Sequence, residues 1–80
     1  MGSARVARFF FQITNDTEHL ETTLDLPSAE DAWAQATMTA GEMLRDLGAK
    51  FRPGTEWRLS VADNSRRRLF SVRIVGEAYE

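Results

Sequence analysis

The chain has no cysteine, a single histidine and a single lysine among its ten basic residues. Without cysteine, disulfides, thiolate metal sites and cysteine nucleophiles are excluded, and a reducing compartment is permitted. No apolar run approaches the roughly 18 residues that a membrane-spanning helix needs. The start of the chain also lacks an apolar segment followed by a small-residue cleavage site, so we expect no secretory signal.

The composition is that of an ordinary folded protein, with 42% hydrophobic and 28% charged residues in a chain of 80. We predict one domain over residues 1–80, with an ordered core at about 5–75. A domain of this size buries about 60% of its unfolded surface, and its net stability is about 3–5 kcal/mol unless self-association adds to it. So small a core leaves little room for a cleft, so we expect no enzymatic activity unless an oligomer builds a site at its interface.

His19 is the one side chain around which a metal or acid–base site could be drawn, with Glu18 and Glu21 nearby. Their spacing is not a ligand spacing, and an exposed histidine explains the pattern more simply. The chain has no GxSxG, GxGxxG, Walker or EF-hand motif. We therefore predict no catalytic, metal-binding or cofactor-binding residues and no cofactor.

Hydrophobic alternation predicts four strands, at 5–14, 20–26, 57–62 and 68–75. Turn-forming residues at 14–17 and 63–66 join them in pairs, which indicates two hairpins. Between the hairpins, Ser28 is a helix cap and Gly48 a helix stop, so we expect a helix that ends at Leu47. The order ββαββ predicts an α+β fold, a two-layer sandwich with one helix packed on a four-stranded, mainly antiparallel sheet.

The predicted helix carries one apolar stripe that must face the sheet. Its members recur at three- and four-residue steps: Ala29, Trp33, Ala36, Ala40, Met43, Leu44 and Leu47. The predicted core combines the large members of this stripe with one face of the sheet: Phe9, Phe11, Ile13, Trp33, Leu44, Leu47, Trp57, Leu59, Val61, Phe70, Val72 and Ile74. The strand order of the sheet stays open at this point.

Three collinear motifs resemble a family of short bacterial proteins classed as a domain of unknown function. They are an Arg-Phe-Phe-Phe strand from Arg8, a Leu-Pro-Ser-Ala-Glu-Asp-Ala helix start from Leu26, and Trp-Arg-Leu-Ser-Val-Ala-Asp from Trp57. The resemblance runs from about Arg8 to Val75 and implies a cytoplasmic ββαββ domain, without implying an activity or ligand. Family members often have glycine in the turn before the helix and after the late aspartate, where this chain has Thr23 and Arg66.

Charge is unevenly distributed along the chain. Residues 15–31 hold six acids and no base (−6), whereas residues 45–73 hold eight bases and three acids (+5). Alternation places several arginines on the sheet face away from the helix, and others cluster at the second hairpin. The candidate partner-binding residues are Arg8, Phe10, Arg58, Arg66, Arg67, Arg68 and Arg73. A solvated face with cross-strand ion pairs explains the same residues without a partner.

These features favour a non-enzymatic cytoplasmic interaction module that self-associates, most simply as a homodimer, through the helix-free face or a strand edge. On that face, apolar side chains are expected among the arginines: Val6, Phe10, Ala62, Leu69 and Val75. The alternative is a small nucleic-acid-binding or antitoxin-like regulatory protein that uses its arginine-rich hairpin and sheet face.

Overall fold

The computed structural model describes residues 6–79 and contains four strands and one long helix in the predicted order. The elements are β1 (Ala7–Thr14), β2 (His19–Leu26), α1 (Ala29–Leu47), a 3-10 turn (Gly48–Lys50), β3 (Glu56–Ala62) and β4 (Arg68–Val75). The strands form one antiparallel sheet in the order β2-β1-β3-β4, and α1 packs on one face of it. This confirms the predicted α+β arrangement. The predicted first-strand residue Arg5 lies outside the described residues.

Two hairpins make up the sheet, and β1 pairs with β3 at its centre. In the first hairpin the Asn15 side-chain oxygen accepts hydrogen bonds from the backbone N–H groups of Thr17 (2.9 Å) and Glu18 (2.7 Å), which satisfies the turn. Thr23 lies inside β2 opposite Phe10, as the predicted strand at 20–26 requires. The turn that the family resemblance implies at this position is not formed, because strand pairing continues without interruption to Leu26.

The helix begins and ends at the residues that the sequence indicates. Ser28 is the N-cap: its Oγ accepts a hydrogen bond from the Asp31 N–H (3.2 Å) and donates one to the Asp31 carboxylate (2.8 Å). Glu30 and Asp31 place negative charge at the positive end of the helix dipole. At the other end Gly48 has φ 51°, and its N–H donates to the Leu44 carbonyl.

The helix contacts the sheet through alanines. Ala32 and Ala36 are fully buried and Ala40 is 7% exposed, while Trp33 and Leu44 are 44% and 39% exposed. The prediction that Trp33 and Leu44 belong to the core was therefore wrong. Short side chains in the middle of the stripe let the helix approach the sheet, which displaces larger neighbours to its flank. There the Trp33 ring meets Phe70 of β4 edge-on, with centroids 5.2 Å apart.

On the sheet side, the core follows the predicted alternation. Phe9 and Phe11 of β1 and Trp57, Leu59 and Val61 of β3 are all buried. The remaining predicted members of the sheet are half-buried and pack against this cluster: Ile13 at the end of β1, and Phe70, Val72 and Ile74 in the edge strand β4. Leu47, at the end of the helix, is half-buried. The core is thus centred on the two inner strands, directly beneath the alanines.

Candidate interaction face of the sheet

The face of the sheet away from α1 carries four of the predicted partner-binding residues. Arg8 and Phe10 alternate with the buried Phe9 and Phe11 in β1, so they point to the opposite side. Arg58 of β3 lies opposite Arg73 of β4, and both alternate with core residues in the same way. The structure therefore brings these four side chains to one face, which we call the helix-free face.

The arginines of this face lie beside carboxylates. Arg8 Nε is 3.3 Å from Asp25 Oδ1, a pair that joins β1 to β2. Arg73 donates to both oxygens of Glu56, at 3.1 and 3.2 Å, and Arg58 Nη2 donates to the same carboxylate at 3.3 Å. These ion pairs, two between neighbouring strands and one within β3, offset much of the positive charge at these positions.

Arg66 reaches furthest across the sheet. Its guanidinium carbon lies 3.8 Å from the centroid of the Phe10 ring, and its Nη1 donates to both oxygens of Glu21 at 3.1 and 3.3 Å. Gln12 donates to the same carboxylate at 2.9 Å. A residue of the second hairpin thus covers an aromatic ring of β1 and binds an acid of β2.

A tight loop places Arg66 in this position. The Asp63 carboxylate accepts hydrogen bonds from the Ser65 N–H (3.0 Å), the Ser65 hydroxyl (2.8 Å) and the Arg67 N–H (3.0 Å). The loop reverses through residues 64–66 and ends with Arg66 at φ 69°. In a three-residue hairpin loop this is the left-handed position that glycine usually fills. Arg66 adopts it at a cost of about 1–2 kcal/mol, and its cation–π contact and ion pair offset part of that cost.

The predicted apolar centre of the helix-free face is not formed. Pairing shifts between Val61↔Phe70 and Ala62↔Arg68, so Leu69 is an extra residue, a bulge, and it packs against the buried cluster. Val6 and Val75 are exposed near opposite ends of the sheet. Of the predicted apolar residues, Phe10 and Ala62 do lie opposite each other on this face, and Arg66 covers the Phe10 ring. Arg67 and Arg68 are exposed at the hairpin, and neither forms an ion pair within residues 6–79.

Three carboxylates of this region have pKa values below their ordinary ones. The Gln12 hydrogen bond, followed by the bond from Arg66, lowers the pKa of Glu21. The bond from Arg73 lowers the pKa of Glu56, and the bond from the Ser65 hydroxyl lowers that of Asp63. In each case the hydrogen bonds favour the ionised form, so these contacts hold best when the carboxylates are charged.

Acid is therefore expected to weaken the fold through these groups. A carboxylate with a lowered folded-state pKa stabilises the protein above its unfolded pKa, which for Glu21 is near 4.5, and this contribution is lost as the pH falls through the folded value. We expect the urea midpoint to decline below about pH 4.5, and Glu21→Gln to reduce that decline. Glu42→Gln, at an exposed helix position, is the control. Parallel curves for the wild type and Glu21→Gln would contradict the expectation.

The two flanks of α1 differ in the side chains that they expose. Towards β4 lie Trp33 and Leu44, eleven residues apart and so on the same side of the helix after three turns. Towards β2 there is a groove of about 240 Å³ lined by Phe11, Ile13, Thr22, Leu24, Gln35 and Thr39. Sequence reasoning missed the exposure of Trp33 and Leu44 because it assigned the large side chains of the stripe to the core.

The single histidine of the chain lies on the edge strand β2. His19 is exposed at the start of β2, opposite Thr14. Within residues 6–79 there is no group of three His, Cys, Asp or Glu side chains arranged to hold a metal ion. Across the same part of the chain, the structure has no helix with the length and apolar character needed to cross a bilayer.

The architecture defines a class: small two-layer α+β domains in which one helix covers one face of an open, four-stranded antiparallel sheet. Within that class, a family model described as a domain of unknown function (DUF6894) matches residues 8–75. The chain belongs to this family, as the resemblance of its three motifs indicates. No curated protein and no solved structure gives a significant match.

Proposed function

We propose that this protein is a non-enzymatic, cytoplasmic interaction module that self-associates as a homodimer. The observation that carries the proposal is the exposure of Trp33 (44%) and Leu44 (39%) on the flank of α1 that faces β4. Trp33 contacts Phe70, the first of three half-buried apolar residues along β4 (Phe70, Val72 and Ile74), and Leu44 lies on the same side of the helix. A contiguous apolar strip of this kind is typical of a surface that a partner covers.

The size of the domain gives self-association a physical advantage. The helix buries alanines, which contribute less apolar area than leucine or tryptophan would at the same positions. A second copy that covers Trp33 and Leu44 adds apolar burial that one chain cannot supply, and it stabilises the folded state by mass action. Covering the flank of α1 that faces β4 therefore both binds the second copy and stabilises the folded state of each chain.

The helix-free face has a different part in this proposal. Arg8, Arg58 and Arg73 lie beside carboxylates of their own chain, and Arg66 covers Phe10. Such a face is well solvated without a partner. It supplies the polar rim of the contact rather than its apolar centre.

Nucleic-acid binding has support from Arg67 and Arg68, which are exposed next to each other at the start of β4. Arginines bind nucleic acid by neutralising its phosphates and releasing the counterions bound there, and an arginine that is already paired with a carboxylate contributes less to this. The other four candidate arginines already contact Asp25, Glu56 or Glu21. We therefore rank this function second.

Light scattering after size exclusion tests the proposal at protein concentrations from about 1 µM to about 1 mM. Dissociation constants in this range correspond to association free energies of about −8 to −4 kcal/mol. We expect a dimer, and we expect Leu44→Glu to shift it to monomer because a charge is then buried at the contact. Met38→Glu is the matched control, since Met38 is 58% exposed on another side of the same helix.

A wild-type protein that stays monomeric throughout that range would overturn the proposal. The same samples are titrated with single-stranded RNA and duplex DNA at two salt concentrations. Binding that weakens steeply with salt and disappears in an Arg67→Ala, Arg68→Ala double variant would establish the nucleic-acid alternative instead.

A further inference from the structure

We propose that two copies join edge to edge, with β4 of one pairing antiparallel to β4 of the other, so that the two sheets become one sheet of eight strands. This inference rests on the proposed self-association and names its contact. It follows from three observations: an open strand edge, a self-complementary register and an apolar flank beside that edge.

The first observation is the edge itself. β4 is the last strand of the order β2-β1-β3-β4 and is eight residues long. It contains no proline and no lysine, the residues that commonly protect an edge from pairing. Its one central charge, Arg73, is held on the helix-free face by Glu56. Within residues 6–79, the outer side of β4 therefore presents backbone donors and acceptors that no other strand pairs with.

The pairing of β4 with β3 shows which groups these are. The Gly76 N–H donates to the Thr55 carbonyl (3.1 Å), and its carbonyl accepts from the Gly54 N–H (2.7 Å), so Gly76 directs its backbone groups towards the β3 side. In an antiparallel pair this direction alternates from one residue to the next. The N–H and C=O groups of Ser71, Arg73 and Val75 therefore point away from the sheet.

The second observation is that β4 complements its own copy. In an antiparallel pair centred on Val72, Phe70 lies opposite Ile74 of the second copy, and Ser71 lies opposite Arg73. Large apolar side chains then meet on the helix side, while each arginine faces a hydroxyl rather than another arginine. The bulge at Leu69 limits regular pairing at the start of the strand.

The third observation is the difference between the two edges of the sheet. Beside β4 the helix presents Trp33 and Leu44, which would cover the new pairing from both copies. Beside β2 it presents Gln35 and Thr39, which hydrogen-bond to each other at 3.2 Å. The β2 edge thus has the same backbone groups without an apolar flank, so the structure favours β4.

Ser71→Pro tests the edge directly. Proline removes an N–H that points outward and puts its ring where the second strand would lie, while the bonds between β3 and β4 stay in place. We expect the dimer dissociation constant to rise at least about 100-fold, because two symmetry-related hydrogen bonds and the close strand approach are lost together.

Thr23→Pro is the matched control in β2. Thr23 is also exposed and on the helix-free face, opposite Phe10. The bond from the Asn15 N–H to the Glu18 carbonyl sets the alternation in that hairpin, so the Thr23 N–H also points outward. We expect Thr23→Pro to dimerise like the wild type, with both variants folded by circular dichroism.

Amide hydrogen exchange of the wild type gives a second readout if Ser71→Pro fails to fold. The Ser71 and Arg73 amides are expected to exchange at least about tenfold more slowly at dimer-forming concentration than as monomer, and the Thr23 amide to be unchanged. A dimer whose Ser71 amide is unprotected, or that survives in folded Ser71→Pro, would overturn β4 pairing and leave self-association standing. A wild type without a dimer would overturn both.

Discussion

Leu59→Ala is expected to lower the free energy of unfolding by about 2–5 kcal/mol, enough to unfold much of a domain whose total stability is about 3–5 kcal/mol. Leu59 is 1% exposed and lies in β3 between Ile13 of β1 and Val72 of β4. Its truncation leaves a cavity under the helix that neighbouring strands, held by their hydrogen bonds, cannot close.

Urea unfolding followed by circular dichroism measures the loss. Leu20→Ala is the control, because Leu20 lies on the same face of the sheet, opposite Ile13, but is 58% exposed. It is expected to change the free energy of unfolding by no more than about 0.5 kcal/mol. Equal losses for the two variants would mean that the core is not centred on the inner strands.

Ala36→Leu is expected to destabilise the protein by about 1–3 kcal/mol, although leucine is an excellent helix former. Ala36 has no exposed surface and lies in the middle of the alanine contact with the sheet. A larger side chain there must push the helix away from the sheet or adopt a strained rotamer, and either change weakens the packing around it.

The same substitution at Ala34, which is exposed on the helix, provides the comparison. Ala34→Leu is expected to alter the free energy of unfolding by about 0.5 kcal/mol or less. If both leucine variants unfold at the wild-type urea concentration, the helix does not lie as close to the sheet as three buried alanines imply.

The secondary structure could be read from the sequence because alternation and capping are local signals. Ser28 and Gly48 delimit the helix, and the strands follow the alternation of large apolar residues. The predicted stripe also included Ala36 and Ala40, which are buried, but it did not show which of its members contact the sheet most closely. Trp33 and Leu44 dominate the apolar stripe by size, yet a close approach to a sheet selects the small residues beside them, such as Ala32.

The candidate site was partly predictable. Alternation places Arg8, Phe10, Arg58 and Arg73 on one face, as the structure does. Their acidic partners depend on strand order and register, which a single sequence does not specify. The contact between Arg66 and Glu21 joins residues of different hairpins, and it exists because β1 and β3 lie side by side.

The conformation of Arg66 is one that suits glycine better than arginine. Arg66 has the positive φ that glycine adopts without strain. Its side chain covers the Phe10 ring and pairs with Glu21, so a strained backbone position carries the contact between the two hairpins.

The strand order also bears on how the chain reaches its native state. Each hairpin closes a short loop and can form early, whereas β1 and β3 must meet across a segment that contains β2 and the whole helix. Contacts between residues so distant in sequence raise the contact order, and such contacts slow folding. The docking of the two hairpins is thus the expected rate-limiting event, and until it occurs the inner strands remain open to neighbouring chains.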